Sequence, residues 1–88
     1  MTKGERKKRI EKILIDNFNP HYLNVMDDSN SHKGHVGASL EGETHYNIEI
    51  NSDVFIGKTR VQRERMISKL LEIEFKTGLH ALSLKFIN

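Results

Sequence analysis

The chain has 88 residues, of which 36% are hydrophobic and 30% charged, with five histidines, no cysteine and a formal net charge of only +2. That is enough for one small domain with a modest core. It excludes a disulfide framework, a thiolate zinc site or a thiolate-held iron–sulfur cluster built from this chain alone, and any strong whole-molecule field for nucleic acid.

The charges are unevenly spread. Residues 1–12 carry six bases (Lys3, Arg6, Lys7, Lys8, Arg9, Lys12) against two acids, residues 16–53 carry seven acids and one base, and from Lys58 onward bases lead seven to three. Such asymmetry implies basic and acidic faces. No run approaches the roughly 18 apolar residues of a membrane span, and the N-terminal stretch has neither an apolar signal core nor a transit-peptide composition. A reducing, cytoplasmic location is expected.

In chain order, residues 2–18 read as a helix, with residues 1–9 expected to fray. Thr2-x-x-Glu5 matches a capping box, weakened by Gly4, and Ile10, Ile13, Leu14 and Phe18 recur at helical spacing. Asn19-Pro20 stops it, because the residue before proline leaves helical geometry. Residues 22–28 read as a strand with Leu23 and Val25 on one face. Residues 29–42 hold three of the six glycines and read as a loop; loops of that length in small domains often carry function. Residues 44–50 read as a second strand, where Tyr46, Ile48 and Ile50 alternate with His45, Asn47 and Glu49, the pattern of a sheet with one buried face.

Residues 51–57 read as a turn or single helical turn anchored by Phe55. Thr59-x-x-Gln62 is a second capping box. The helix it opens is expected to run to Thr77 with Met66, Ile67, Leu70, Leu71 and Phe75 toward the core, and Gly78 supplies the stop. Residues 79–87 read as a third strand, apolar at Leu82, Leu84 and Phe86. A crossover of some 17 helical residues joins parallel strands, whereas the loop-joined first pair is antiparallel. The expected fold is one α+β domain over residues 1–88, α-β-β-α-α-β, with helices packed on one face of a mixed three-stranded sheet.

That topology places the loop, the start of the second strand and the start of the third at one end of the sheet. His32 and His35 lie in the loop, and His80 stands at the mouth of the third strand. His-x-x-His in a glycine-containing loop is a weak motif, equally read as two solvated side chains. By parity His80 falls with Leu82 and Leu84, so it reads either as a hydrogen-bonded core histidine or as a ligand. His45, on the opposite face from Tyr46, reads as structural, a support for a ligand before being one. His21 reads as merely exposed. Lys58, Arg60, Arg63 and Arg65 gather at the start of the long helix, either as a solvated face or as a phosphate-contacting surface. Ser29 and Ser31 near His32 make no triad, and no catalytic machinery is expected.

Seven motifs in order resemble the BolA family: Phe18-Asn19-Pro20; Val25-Met26-Asp27-Asp28-Ser29; His32 with His35; Gly42-Glu43-Thr44-His45-Tyr46; Phe55-x-Gly57-Lys58; Val61-Gln62-Arg63-x-Arg65; and Leu79-His80-Ala81-Leu82. The resemblance implies a class II KH-like fold, which agrees with the element order. It implies a non-enzymatic partner of a monothiol glutaredoxin, sharing a two-iron two-sulfur (2Fe–2S) cluster for which the glutaredoxin and glutathione supply thiolates. His80 matches the family's recurrent ligand. The second ligand falls in the loop, His32 or His35, with His35 favoured as nearer its middle. Family members usually carry histidine between the two arginines of the third helix; Glu64 stands there in this chain, and a role tied to that histidine is in doubt.

The resemblance also implies a stress-linked transcriptional regulator. KH domains clamp nucleic acid with a Gly-x-x-Gly loop, but the stretch from Phe55 to Arg60 has one glycine, the chain has no tryptophan, and aromatics are only 7%. DNA binding through Lys58, Arg60, Arg63 and Arg65 is therefore expected to be weak and salt-sensitive. Alone, the chain is expected to be a monomer.

Overall fold

A computed structural model of the chain describes residues 5–28 and 44–87. The first helix, α1, spans Glu5–Phe18 and buries Arg6, Ile10, Leu14 and Phe18, a single row at i, i+4 spacing. Residues 5–9, expected to fray, are helical, while Thr2 of the anticipated capping box lies outside the described residues. The stop is a left-handed cap. Asn19 has φ 41°, and its N–H donates to the Ile15 carbonyl at 3.0 Å. Asparagine is one of the few residues that tolerates this conformation. The Phe18 carbonyl is taken up by the hydroxyl of the fully buried Ser52 at 2.6 Å, which in turn accepts from Val54 N–H.

Strands β1 (Tyr22–Asp27), β2 (His45–Asn51) and β3 (Ala81–Phe86) form a sheet of order β1-β2-β3. The β1–β2 pair is antiparallel, with Val25 opposite Ile48; the β2–β3 pair is parallel, with His45 opposite Ala81. This is the expected mixed sheet. Along β2, buried Tyr46, Ile48 and Ile50 alternate with half-buried His45, Asn47 and Glu49. They meet Ile10, Leu14 and Phe18 of α1, with Phe55, Ile67, Leu71 and Leu79 closing one core. Helices cover that face, giving an α+β fold.

The long helix differs from expectation. A single 3-10 turn at Asp53–Phe55 is followed by α2 (Arg60–Leu70), a break at Leu71 (φ −97°, ψ 15°), and α3 (Glu72–Lys76). The Thr59–Gln62 capping box is formed in both directions. The inward row continues through Ile67, Leu71 and Glu74, at i, i+4 and i+7. Phe75, expected on the core side, is 38% exposed, and Glu74 is buried in its place with 4% of its surface accessible. One residue is about 100° of helical rotation, enough to carry Phe75 onto the flank.

Glu74 is buried because α1 brings two arginines to it. Arg6, itself 5% exposed, places Nη1 3.1 Å from Glu74 Oε1 and 2.9 Å from the Glu74 carbonyl, while Nη2 donates to the Thr77 carbonyl at 3.0 Å. Arg9 binds the same carboxylate bidentately, at 2.9 Å through both Nε and Nη2. The two guanidinia thus neutralise the carboxylate, and Arg6 also binds the Glu74 and Thr77 carbonyls at the end of α3. Gly78 follows with φ +130°, and a Cβ there would stand 3.1 Å from Arg6 Nη2. Glycine is required for the backbone angle, and a Cβ there would press on the end of the Arg6 side chain.

The Arg9 hydrogen bond holds the Glu74 carboxyl below the usual carboxylate range, aided by the charges of Arg9 and Arg6 and opposed by burial. A group whose folded pKa lies below its unfolded value, about 4.3 for glutamate, stabilises the fold fully above that value and loses the contribution as pH falls through the folded one. Glu74→Gln is expected to be less stable than the parent at neutral pH and to lose less on acidification below about pH 4. Urea unfolding across that range checks it; parallel stability–pH curves would contradict the assignment.

Candidate functional site

Three segments converge at one end of the sheet: Asp28 after β1, Thr44 and His45 at the start of β2, and His80 and Ala81 at the start of β3. Asp28 N–H donates to the His45 carbonyl at 2.8 Å, and the N–H groups of His80 and Ala81 both reach the Thr44 carbonyl, at 2.8 and 3.2 Å. Residues 29–43 therefore leave and rejoin the described fold at the end where β3 begins. His32 and His35 fall within that segment, outside the described residues.

His80 is exposed, which removes the reading of it as a core histidine. Parity describes it only in part. It does border a groove of about 520 Å³ with Leu82 and Leu84, opposite Arg60, Glu64 and Phe75. Yet its ring also lies beside that of His45, with centroids 6.0 Å apart and planes inclined by 14°. The strict alternation that assigned the two histidines to opposite faces does not hold at His80. This residue precedes the first paired residue of β3, so its side chain is not bound by the pleat. His45 is oriented by its neighbour: Thr44 Oγ1, on a buried residue, stands 2.8 Å from His45 Nδ1.

His21 is at the other end of β2. Its Nε2 lies 3.0 Å from Asp53 Oδ1, in a pair exposed on both sides. Among the described residues, no group of three or more histidine, aspartate or glutamate side chains converges as a metal ion requires, and no helix is long and apolar enough to cross a membrane.

The four basic residues divide into two kinds. Arg60 pairs with Glu64 at 3.0 Å and donates to the Leu84 carbonyl at 3.0 Å, linking α2 to β3. Arg63 donates to the Lys58 carbonyl at 3.0 Å, and its guanidinium lies 5.9 Å from the Phe55 ring centre and 5.6 Å from that of Phe86. Those rings meet edge-on at 5.1 Å, and Phe18 joins them at 4.9 Å. Arg63 therefore covers an aromatic cluster. Lys58 and Arg65 are exposed. Gly57 has φ +79° with open space where a Cβ would be, so the glycine there serves the turn alone.

The residues that sequence reading missed are Arg6, Arg9 and Glu74. One signal could have found them: a charged residue at position 74, where the row of Ile67 and Leu71 calls for an apolar one. The partnership of His45 with His80 left no comparable mark.

A family model described as "BolA-like protein" matches residues 14–88. The chain is 46% identical over 85 residues to SufE-like protein 1, chloroplastic/mitochondrial, of Arabidopsis thaliana, an alignment covering 92% of this chain and 23% of that protein. The chain thus spans about a quarter of that relative's length. It is 37% identical over 78 residues to the DNA-binding transcriptional regulator BolA of Escherichia coli, covering 89% of this chain and 70% of the relative. The solved BolA domain of SufE1 from Arabidopsis thaliana has the same fold, with a TM-score of 0.85 at 46% identity over 94% of this chain and 91% of that one.

The division among the basic residues can be checked by stability. Arg63→Ala loses a cation–π contact of about 0.5–1 kcal/mol and a hydrogen bond of similar size, about 1–2 kcal/mol together. Arg65→Ala is expected to stay within about 0.5 kcal/mol of the parent. Urea midpoints measure both, and equal effects would remove the distinction.

Proposed function

The chain belongs to the BolA-like family, and from that premise we propose that it is a non-enzymatic partner of a monothiol glutaredoxin, donating His80 and either His32 or His35 to a shared two-iron two-sulfur cluster. The observation that carries this reading is the exposed imidazole of His80 at the open end of the sheet, with both ends of the segment bearing His32 and His35 hydrogen-bonded beside it. The donor set fits such a group in part. This chain offers nitrogen and no thiolate, so the sulfur ligands come from the glutaredoxin and its glutathione. Imidazole in place of thiolate raises a cluster's potential, as in Rieske centres, and suits transfer or sensing.

The work of this chain is positional. The His80 N–H bond to Thr44 fixes where the imidazole leaves the backbone, and the Gly78 turn sets its approach. Arg6 holds that turn through Thr77. Glu64, where family members usually have histidine, borders the same groove and pairs with Arg60.

Mixing the chain with a cluster-loaded monothiol glutaredoxin is expected to change visible absorption and circular dichroism, and His80→Ala is expected to abolish the change. An unaltered response in that variant sinks the reading.

A second reading, a DNA-binding regulator, is favoured by the name of the Escherichia coli relative. Since Arg60 and Arg63 are engaged within the chain, Lys58 and Arg65 are the cations it would use. Removing either should lower the slope of log affinity against log salt by about 0.9. A DNA titration with no salt dependence would exclude this reading.

A further inference from the structure

We infer that the furrow between α1 and the α2–α3 pair is a docking site for an amphipathic helix of a partner protein, one with an apolar stripe and acidic flanks. Two hollows lie along it. One, of about 390 Å³, lies between Phe18 of α1 and Met66, Lys69 and Leu70 of α2, with Val54 of the 3-10 turn beside them. The other, of about 370 Å³, lies between Arg9 of α1 and Ile73 of α3. Half-buried Ile13 stands one turn from Arg9 and one turn from Asn17, and so between the two hollows. Helices packed ridge into groove fill such space with interdigitating side chains. Here Met66, Leu70 and Ile73 follow one another at i, i+4 and i+7 beside the buried row, and Ile73 is 70% exposed. A lone exposed isoleucine is ordinary. Five apolar side chains around one furrow (Ile13, Val54, Met66, Leu70 and Ile73) form a patch that wants a partner.

Shape and charge select the occupant. Both walls are helices, whose backbone groups are spent within the helix, so an added strand finds no edge to pair with. A bilayer takes up protruding apolar side chains rather than the floor of a furrow. From Arg6 to Phe18 the furrow runs for about 18 Å, room for three turns of a helix with its own anchors at i, i+4 and i+7. The rim is basic. Lys69 lines the furrow and Arg65 stands one turn before it, and neither has an ion pair among the described residues. Lys12 and Lys76 are exposed and are met only by exposed i, i+4 partners, Asp16 at 3.0 Å and Glu72 at 3.7 Å, contacts of little strength. Four exposed cations thus border the furrow against two exposed acids, and acidic flanks on the occupant complement them. The furrow shares no lining residue with the groove at His80. A helix seated here leaves that imidazole accessible, and the chain can hold two partners at once.

The probe is a synthetic helical peptide of about 14 residues, with leucine at i, i+4, i+7 and i+11 and glutamate on its flanks. Titrated into the ¹⁵N-labelled full chain, it is expected to shift the amides of α1 and α2 around Ile13, Met66 and Leu70 saturably and to leave those of β1 in place. Ile73→Glu is expected to weaken binding at least about tenfold, because an anchor contact is lost and a like charge is added. Lys69→Glu is expected to weaken it about fivefold. Val61→Glu, at an exposed apolar residue on the other side of α2, and His80→Ala are expected to bind as the parent does. Amide spectra confirm that each variant is folded. The absence of saturable shifts, undiminished binding in folded Ile73→Glu, or equal affinity for a lysine-flanked version of the peptide overturns the site. Phosphatidylserine vesicles and a DNA duplex are titrated alongside; tighter binding of either at the same amides also overturns it, in favour of a membrane or a nucleic acid. Because His80→Ala is silent here, failure in this titration and failure with glutaredoxin are separate results.

Discussion

The fold depends on a carboxylate placed where an apolar side chain would ordinarily sit. Glu74 continues the inward row of Ile67 and Leu71, and burying its charge is unfavourable unless opposite charge and hydrogen bonds accompany it. Arg6 and Arg9 provide both from α1, more than 60 residues away in the chain. The pairing locks the first helix to the last, and through the Glu74 and Thr77 carbonyls it also closes the turn that leads into β3. Gly78 supplies the backbone angle of that turn beside the guanidinium. The family match begins at residue 14, so these arginines lie before it.

From that turn the chain passes directly to His80. Leu79, buried in the core, bonds back to the Glu74 carbonyl at 2.9 Å, and His80 and Ala81 bond to Thr44. Charge burial at α3 is therefore continuous with the placement of the imidazole at the sheet end. The chemistry available there is nitrogen donation from an exposed residue, supported by a neighbour whose ring is held by a buried threonine. His80 is the described donor on which the proposed cluster reading rests.

The basic start of α2 serves the fold first. Arg60 reaches the outer edge of β3 at the Leu84 carbonyl, and Arg63 lies over Phe55 and Phe86. Counting cations at this helix start overstates what is offered to a phosphate backbone, because a guanidinium over an aromatic face and bonded to a carbonyl is already partnered. Lys58 and Arg65 are exposed, as is Arg60 beyond its bonds to Glu64 and Leu84.

The elements, their order and the mixed sheet were legible in the sequence because periods of 3.6 and 2 report which side of each segment faces the core, and crossover length reports strand direction. The convergence of the three strand ends followed from the same topology. The motifs named the family. What the tertiary structure alone decided are the break at Leu71, the exchange of Phe75 for Glu74, the engagement of Arg60 and Arg63, and the pairing of His45 with His80. The burial of Glu74, the reach of Arg60 to Leu84 and the pairing of His45 with His80 depend on residues distant in the chain arriving at a particular spot. Periodicity is a local average over one segment; it cannot say that Arg6 will meet position 74, nor where a ring turns once it stands outside the pleat.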